Sequence, residues 1–279
     1  MRVFISDIGF PEAPVLLPDG SHLFTSMLPS TGTVEWVSRD GKERRVVAKT
    51  GRPNGLAVDR NGAIWVAETA QRALLKLDLA GKSVVFAREA GPTQPFYFLN
   101  DLAFAPNGDL YLTDSGILES EFAPNGTLNP NWENLTYDGH VYCINTTSGA
   151  VRSIDQGIRF TNGIAFGPDG NLYVAETLNG MIHRYRFKDG VMIGEREPFG
   201  SVIDPDGPSG IRGPDGMKFG ADGKLYVAVF GQGVVTVLNH RGRSIDASRF
   251  QVFSPPICTS VSPARSRSMS PRWKPLRCT

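Results

Sequence analysis

The stretch FTNGIAFGPDGNLYVAE at residues 160–176 decides the fold, because it recurs. RPNGLAVDRNGAIWVAE (52–68), FLNDLAFAPNGDLYLTD (98–114) and RGPDGMKFGADGKLYVAV (212–229) repeat it, and FPEAPVLLPDGSHLFTS (10–26) is a looser fifth copy. Each copy runs from a polar anchor residue into a short apolar strand, a D/N-G pair and a second apolar strand. Asp-Gly or Asn-Gly between apolar runs marks a tight hairpin, since Gly accepts positive φ and Asn or Asp tolerates it. Alternating stretches such as ALLKLDLAGKSVVFA (73–87) and MIHRYRFKDGVMIG (181–194) supply a third and fourth strand. A repeated four-stranded unit is the blade of a β-propeller.

The anchors are Glu12, Asn54, Asn100, Asn162 and Asp215, separated by 42, 46, 62 and 53 residues. Blades of about 40–50 residues fit all but the third interval. That interval holds an insertion, ILESEFAPNGTLNPNWENLTYDG (117–139), polar and aromatic, expected to lie as a loop over one mouth of the ring. At roughly 45 residues per blade, 279 residues predict an all-β, six-bladed propeller. Residues 1–246 form the blades, and the opening VFISDIGF is expected to complete the last blade and so hide its edge. Residues 247–279 differ in composition: six basic residues, no acidic residue and no copy of the phrase. They read as a degenerate, incomplete last blade or a disordered basic tail.

Composition narrows the function. Hydrophobic residues make up 41% and charged residues 20%, enough for a packed core. Net charge is +1 overall and −5 over residues 1–246, which argues against nucleic acid as a partner. No apolar run is long enough to span a membrane, and Asp7 interrupts the only candidate leader, so a cytoplasmic location without a membrane partner is expected. Three Cys without a C-x-x-C give neither a disulfide framework nor a thiolate zinc site. The four His lack H-x-x-x-H spacing, and Ser115 and Ser209 lack a G-x-S-x-G context. Oligomeric state is left open.

In a propeller the first strand of each blade lines the central channel, so five anchors from five blades converge at one mouth. For any single anchor, Asn-Gly is ordinary turn chemistry. The set is harder to explain that way, because one anchor is Glu followed by Ala and another is Asn followed by Asp. All five are oxygen donors. Hard cations such as Ca²⁺ take carboxylate and amide oxygens in a flexible shell, and Glu12 with Asp215 would balance a divalent charge. A cation so held keeps the power to polarise a substrate oxygen or a water.

The sequence resembles the SMP-30/gluconolactonase/LRE family of six-bladed propellers, on its bacterial lactonase side. FPEAP (10–14) resembles that family's F-x-E-G-P motif with Ala13 in place of Gly, and LND (99–101), TNGIAF (161–166) and GPDGMKF (213–219) match later motifs. The resemblance implies a divalent metal, Ca²⁺ first with Zn²⁺, Mn²⁺ or Mg²⁺ as alternatives, held by Glu12, Asn162 and Asp215 with help from Asn100. It implies a metal-dependent hydrolase that opens a small-molecule lactone, with Asp215, Asp101 or a metal-bound hydroxide as general base. Asn100 and Asn54 would face the substrate. Sugar-lactonase members often carry Arg at the position of Phe98; here Tyr97 and Phe98 point to a more apolar ligand. Two alternatives are a phosphotriesterase-type hydrolase on the same site and a non-catalytic, NHL-like binding propeller. Glu68, Asp114 and Glu176, which close the second strand of three blades, read as blade-to-blade hydrogen-bonding residues.

Overall fold

The computed structural model describes residues 4–28 and 30–249. They build five four-stranded antiparallel sheets, each meandering outward in chain order. Blade 1 is Pro11–Leu16, His22–Ser26, Thr33–Val37 and Arg44–Lys49; blade 2 is Pro53–Val58, Ile64–Glu68, Ala73–Leu77 and Ser83–Ala87. Blade 3 is Leu99–Phe104, Leu110–Asp114, Gly139–Ile144 and Val151–Ile158; blade 4 is Thr161–Phe166, Leu172–Glu176, Met181–Lys188 and Val191–Ser201. Blade 5 is Gly213–Phe219, Leu225–Phe230, Val234–Leu238 and Ser244–Arg249. A short ribbon, Glu89–Gly91 with Gln94–Pro95, bridges blades 2 and 3. The D/N-G turns form as expected: Gly20, Gly62, Gly108, Gly170 and Gly223 all have positive φ.

The expectation of six blades is overturned, since the described residues make five. Dividing chain length by blade size overcounted; each copy of the repeated phrase founds one blade, and there are five copies. Residues 4–10 form no strand. Instead Phe4 packs edge-on against His22 at 5.5 Å, and Arg44 donates to the carbonyls of Ser6 and Asp7. The boundary placed at 246 falls inside the fourth strand of blade 5. Of the basic segment read at 247–279, residues 247–249 belong to this strand and residues 250–279 lie outside the described residues.

The core lies between blades rather than within one. Blades 2, 3 and 4 turn the Ala and aromatic side chains of their first two strands toward the next blade, and blade 1 uses Val15 and Leu23 in the same way. Trp65 and Ala67 of blade 2 meet Leu102, Leu112 and Tyr142 of blade 3. Tyr111 and Cys143 meet Ile164, Val174 and Tyr185, and Tyr173 and Ala175 meet Met217 and Val227. Burying such an aromatic side chain stabilises the fold by about 1.5–3 kcal/mol. Tyr226 holds the same position in blade 5 but is 39% exposed, against 0% for Trp65 and 3% for Tyr111 and Tyr173. Among the described residues, that face of blade 5 meets no following blade.

Candidate active site

All five inner strands depart from regular pairing at the same place. The register breaks between Glu12 and Val15, Pro53 and Leu56, Leu99 and Leu102, Thr161 and Ile164, and Pro214 and Met217. A bulge bends a strand and re-aims a side chain. Here it turns each anchor into the channel. Asn54-Gly55 and Asn162-Gly163 therefore lie inside strands, not in turns. Their glycines serve blade contact. A Cβ on Gly55 would stand 2.5 Å from the carbonyl oxygen of Asn100, and one on Gly163 would stand 2.2 Å from that of Asp215.

The anchors meet. Glu12, Asn54, Asn100, Asp101, Asn162 and Asp215 line one cavity of about 350 Å³. The three Asn amides are buried and fixed through their nitrogens. Asn54 donates to the carbonyl of Leu99 at 3.3 Å, Asn100 to Ser115 Oγ at 3.1 Å and Asn162 to Thr177 Oγ1 at 3.1 Å. Each nitrogen thus has a scaffold acceptor, that of Asn162 donating to Asp215 as well, and Oδ1 is the acceptor atom each amide has to offer a ligand.

A ring of hydroxyls that the sequence reading missed positions these groups. Thr25 donates to the carbonyl of Asn54 at 2.7 Å, Thr69 to that of Leu99 at 3.0 Å and Thr113 to that of Asn162 at 2.7 Å. Ser115 donates to the carbonyl of Thr161 and Thr177 to that of Pro214, both at 2.8 Å. Every one sits at or just past the end of a second strand and ties its blade to the anchor region of the next. The signal was present as a Thr or Ser near the close of four of the five phrases (FTS, AET, LTDS, AET). Glu68, Asp114 and Glu176 work within their own blades instead. Glu68 accepts from the amides of Arg52 and Gln71, Asp114 from those of Tyr97, Phe98 and Gly116, and Glu176 from that of Arg159. They hold the chain just ahead of each inner strand, so the expected blade-to-blade role is corrected.

Three carboxyl groups, of the half-buried Glu12, Asp101 and Asp215, line the same cavity. Burial, then the charges of Asp215 and Asp101, push Glu12 well above the usual carboxylate range. Burial pushes Asp215 up to about 6, opposed by a hydrogen bond from Asn162 and reinforced by Asp101. Burial also raises Asp101, and Lys218 pulls it back. Asp101 is further committed to backbone amides, of Leu102 at 2.8 Å and of Ile164 at 3.3 Å, the second joining blade 3 to blade 4. Mutually repelling carboxylates beside amide oxygens suit a hard divalent cation. No compact group of three His, Cys, Asp or Glu side chains exists among the described residues, so a metal here would depend on the Asn oxygens.

Above the anchors lies an apolar roof. Phe10, Phe98 and Phe160 each stand two residues before an anchor and join Met27, Ile117, Phe122 and Tyr137 in one cluster. Phe98 lies 5.7 Å from Phe160, and Phe122 lies 4.6 Å from Phe160. The cluster joins blades 1, 3 and 4, which are not all neighbours, so it crosses the channel axis. The expected loop over the mouth is thus in place, carrying the helix Glu119–Phe122. It is tied down on both flanks, by an Arg52–Glu119 ion pair and by Arg159 donating to the carbonyl of Glu133 at 2.9 Å. Phe98 belongs to this roof rather than to the cavity wall. Tyr97 is turned away, 36% exposed, with the Arg72 guanidinium 5.3 Å from its ring.

Comparison with known proteins agrees with this architecture. Residues 10–266 match the SMP-30/gluconolactonase/LRE-like region. The chain belongs to this family. Lactonase drp35 of Staphylococcus haemolyticus is 36% identical over 151 residues, 53% of this chain and 41% of that protein. Its Staphylococcus aureus counterpart is 37% identical over the same lengths. The match thus spans less than half of these curated relatives. Among solved structures, a Xanthomonas campestris gluconolactonase superposes with a TM-score of 0.70 at 23% identity, covering 89% of this chain and 78% of its own. A calcium-binding regucalcin of Agrobacterium tumefaciens gives 0.69 at 21% identity, covering 88% and 76%. At such identities the structural likeness speaks for the fold alone.

Proposed function

We propose that this SMP-30/gluconolactonase/LRE-like chain is a metal-dependent lactonase. The observation that carries the reading is the convergence of Glu12, Asn100, Asn162 and Asp215 on one cavity, with the Asn100 and Asn162 amides each fixed through a hydrogen bond from its nitrogen. Those four residues would hold a divalent cation, Ca²⁺ first by donor type and by likeness to a calcium-binding regucalcin. When bound, such an ion polarises a carbonyl and favours the oxyanion of acyl transfer. Asn54 stands one blade further round the same cavity, placed to donate or accept at a substrate oxygen. Asp101, outside the proposed metal set, and Asp215, within it, both line the cavity and are the two candidate bases; Asp101 accepts from the amides of Leu102 and Ile164, and Asp215 accepts from Asn162 and the Gly216 amide. The aromatic roof excludes water from the mouth and suits a lactone with an apolar substituent better than a polyhydroxylated one.

The test is hydrolysis of a panel of sugar, alkyl and aryl lactones, with a phosphotriester included, before and after chelation. The expected result is lactone turnover lost on chelation and restored by Ca²⁺, with Asp215→Asn and Asn162→Ala lowering it at least a hundredfold while the fold persists. Unchanged lactone hydrolysis after chelation would refute the metal role. Turnover of the phosphotriester alone would replace the lactonase reading.

A further inference from the structure

The third residue after each anchor is Val15, Ala57, Ala103, Ala165 or Lys218. In blades 2, 3 and 4 that residue packs into the contact with the next blade. Blade 5 alone carries a charge there. Lys218 pairs in register with Tyr226, and both line the cavity beside Glu12, Asp101 and Asp215. It is the sole cationic residue of that lining. It is exposed, and its ammonium forms no salt bridge among the described residues. Its charge nevertheless reaches Asp101, whose carboxyl it draws back toward ionisation. An ammonium on a flexible four-carbon stem, at the wall of this cavity and without a salt bridge among the described residues, can serve as an anion-binding group.

Ring opening of a lactone turns a neutral ester into a carboxylate and an alcohol. Water adds its oxygen to the carbonyl carbon, the ring C–O bond breaks, and the departing alkoxide takes up a proton. The net charge of the bound molecule falls by one as the carboxylate ionises. Beside three acidic residues, a cationic side chain close to where the anionic product forms would offset its charge, in addition to any bound metal. We propose that Lys218 binds the carboxylate of the ring-opened hydroxy acid. It does so as a product-binding residue distinct from the donors assigned to the metal. The choice of ligand rests on the lactonase reading, but the site itself can be tested without turnover.

The experiment is calorimetric titration of the Ca²⁺-loaded protein with 4-hydroxybutyrate, for wild type, Lys218→Met and Lys218→Arg. Ca²⁺ affinity and melting temperature are measured alongside. The expected result is tenfold or greater loss of hydroxy-acid affinity in Lys218→Met, with most of it retained in Lys218→Arg. Ca²⁺ should bind Lys218→Met as tightly as wild type or more tightly, because a positive charge has left the cavity. For any lactone the wild type hydrolyses, product inhibition should weaken in Lys218→Met. Equal hydroxy-acid affinity in Lys218→Met and wild type overturns the proposal. So does parallel loss of Ca²⁺ binding and melting temperature, which would mark a structural lysine. Lysine-dependent binding without turnover of any lactone would uphold the anion site and sink the lactonase reading instead.

Discussion

Gly163→Ala should damage the protein in a way that its neighbour Gly216→Ala does not. A Cβ at position 163 would stand 2.2 Å from the carbonyl oxygen and 3.1 Å from the carbonyl carbon of Asp215. Ordinary contact begins near 3.4 Å, so something must move by about 1.2 Å. Both offending atoms are backbone of the inner strand of blade 5, held in register and by Thr177 on the carbonyl of Pro214. Overpacking of a well-built core costs about 1–3 kcal/mol, and a rigid neighbour places this case at the upper end. For a domain of this size about 2–4 °C is lost per kcal/mol, so Tm should fall by roughly 6–12 °C. The same shift carries Asp215 away from Asn162, so Ca²⁺ affinity should drop at least tenfold. Gly216→Ala is the control, because a Cβ there meets nothing within 4 Å and needs no positive φ. Thermal melts and calcium calorimetry on the two variants decide the matter. Equal Tm and equal Ca²⁺ affinity would refute the idea that glycine after the anchor exists for blade-to-blade approach.

Two further outcomes follow from the same geometry. Ala13 has φ of 45°, a left-handed conformation that costs an L-residue about 1–2 kcal/mol. Ala13→Gly should therefore stabilise the protein by a net ~0.5–1 kcal/mol, after the extra freedom of Gly in the unfolded chain is subtracted, and a lower urea midpoint would contradict this. Asp215 has its pKa raised on folding from 3.8 to about 6, chiefly by burial, and Glu12 is raised in the same sense. Such a carboxyl favours the folded state while protonated, so this contribution is present below about pH 4 and is lost as pH rises through 6. For Asp215 alone the loss is up to about 3 kcal/mol in the metal-free protein. Chelated protein should melt at falling temperature between pH 4 and pH 7, while Asp215→Asn or added Ca²⁺ should flatten that profile. A metal-free profile that rises with pH would show that the acids do not repel one another as placed.

The repeated phrase made most of the fold readable, because hairpin chemistry is local: D/N-G pairs, apolar alternation and strand length are all written within about twenty residues. It also made the anchors readable as a set, since the one variable position in a repeat stands out. What the phrase does not encode is the neighbour. The role of Gly55 and Gly163 depends on a carbonyl of the next blade, so the Asn-Gly pair passed for turn chemistry. The hydroxyls of Thr25, Thr113 and Thr177 looked like ordinary strand polar residues, because their acceptors lie 29 to 49 positions away. Tyr97 and Phe98 are adjacent in sequence yet face opposite ways, one to Arg72 and one to the roof. Blade number was misjudged because length is a global quantity, whereas each blade must be founded by its own copy of the phrase.

Departures from the repeat mark where building gives way to function. One residue past the anchor, blades 2, 4 and 5 carry Gly, while blade 3 carries Asp101, whose carboxylate reaches the amide of Ile164 in blade 4. Two residues before the anchor, blades 1, 3 and 4 carry Phe for the roof, and blade 2 carries Arg52 to pin that roof through Glu119. Three residues past it, four blades carry Val or Ala and one carries Lys218. Asp101 and Lys218 line the cavity, and Arg52 holds the helix that carries Phe122 of the roof. Lys218 stands on the face of blade 5 that meets no following blade among the described residues, so packing alone does not require an apolar residue there and only the anion-binding proposal gives its charge a role. Asp101 and Arg52 differ, because each departs from the repeat inside the described ring: Asp101 ties blade 3 to blade 4 through the amide of Ile164, and Arg52 ties blade 2 to the insertion. Local choices that break a repeat's own rule are expected where a site, not the scaffold, sets the requirement, and on the proposed function these two would serve the site the anchors form.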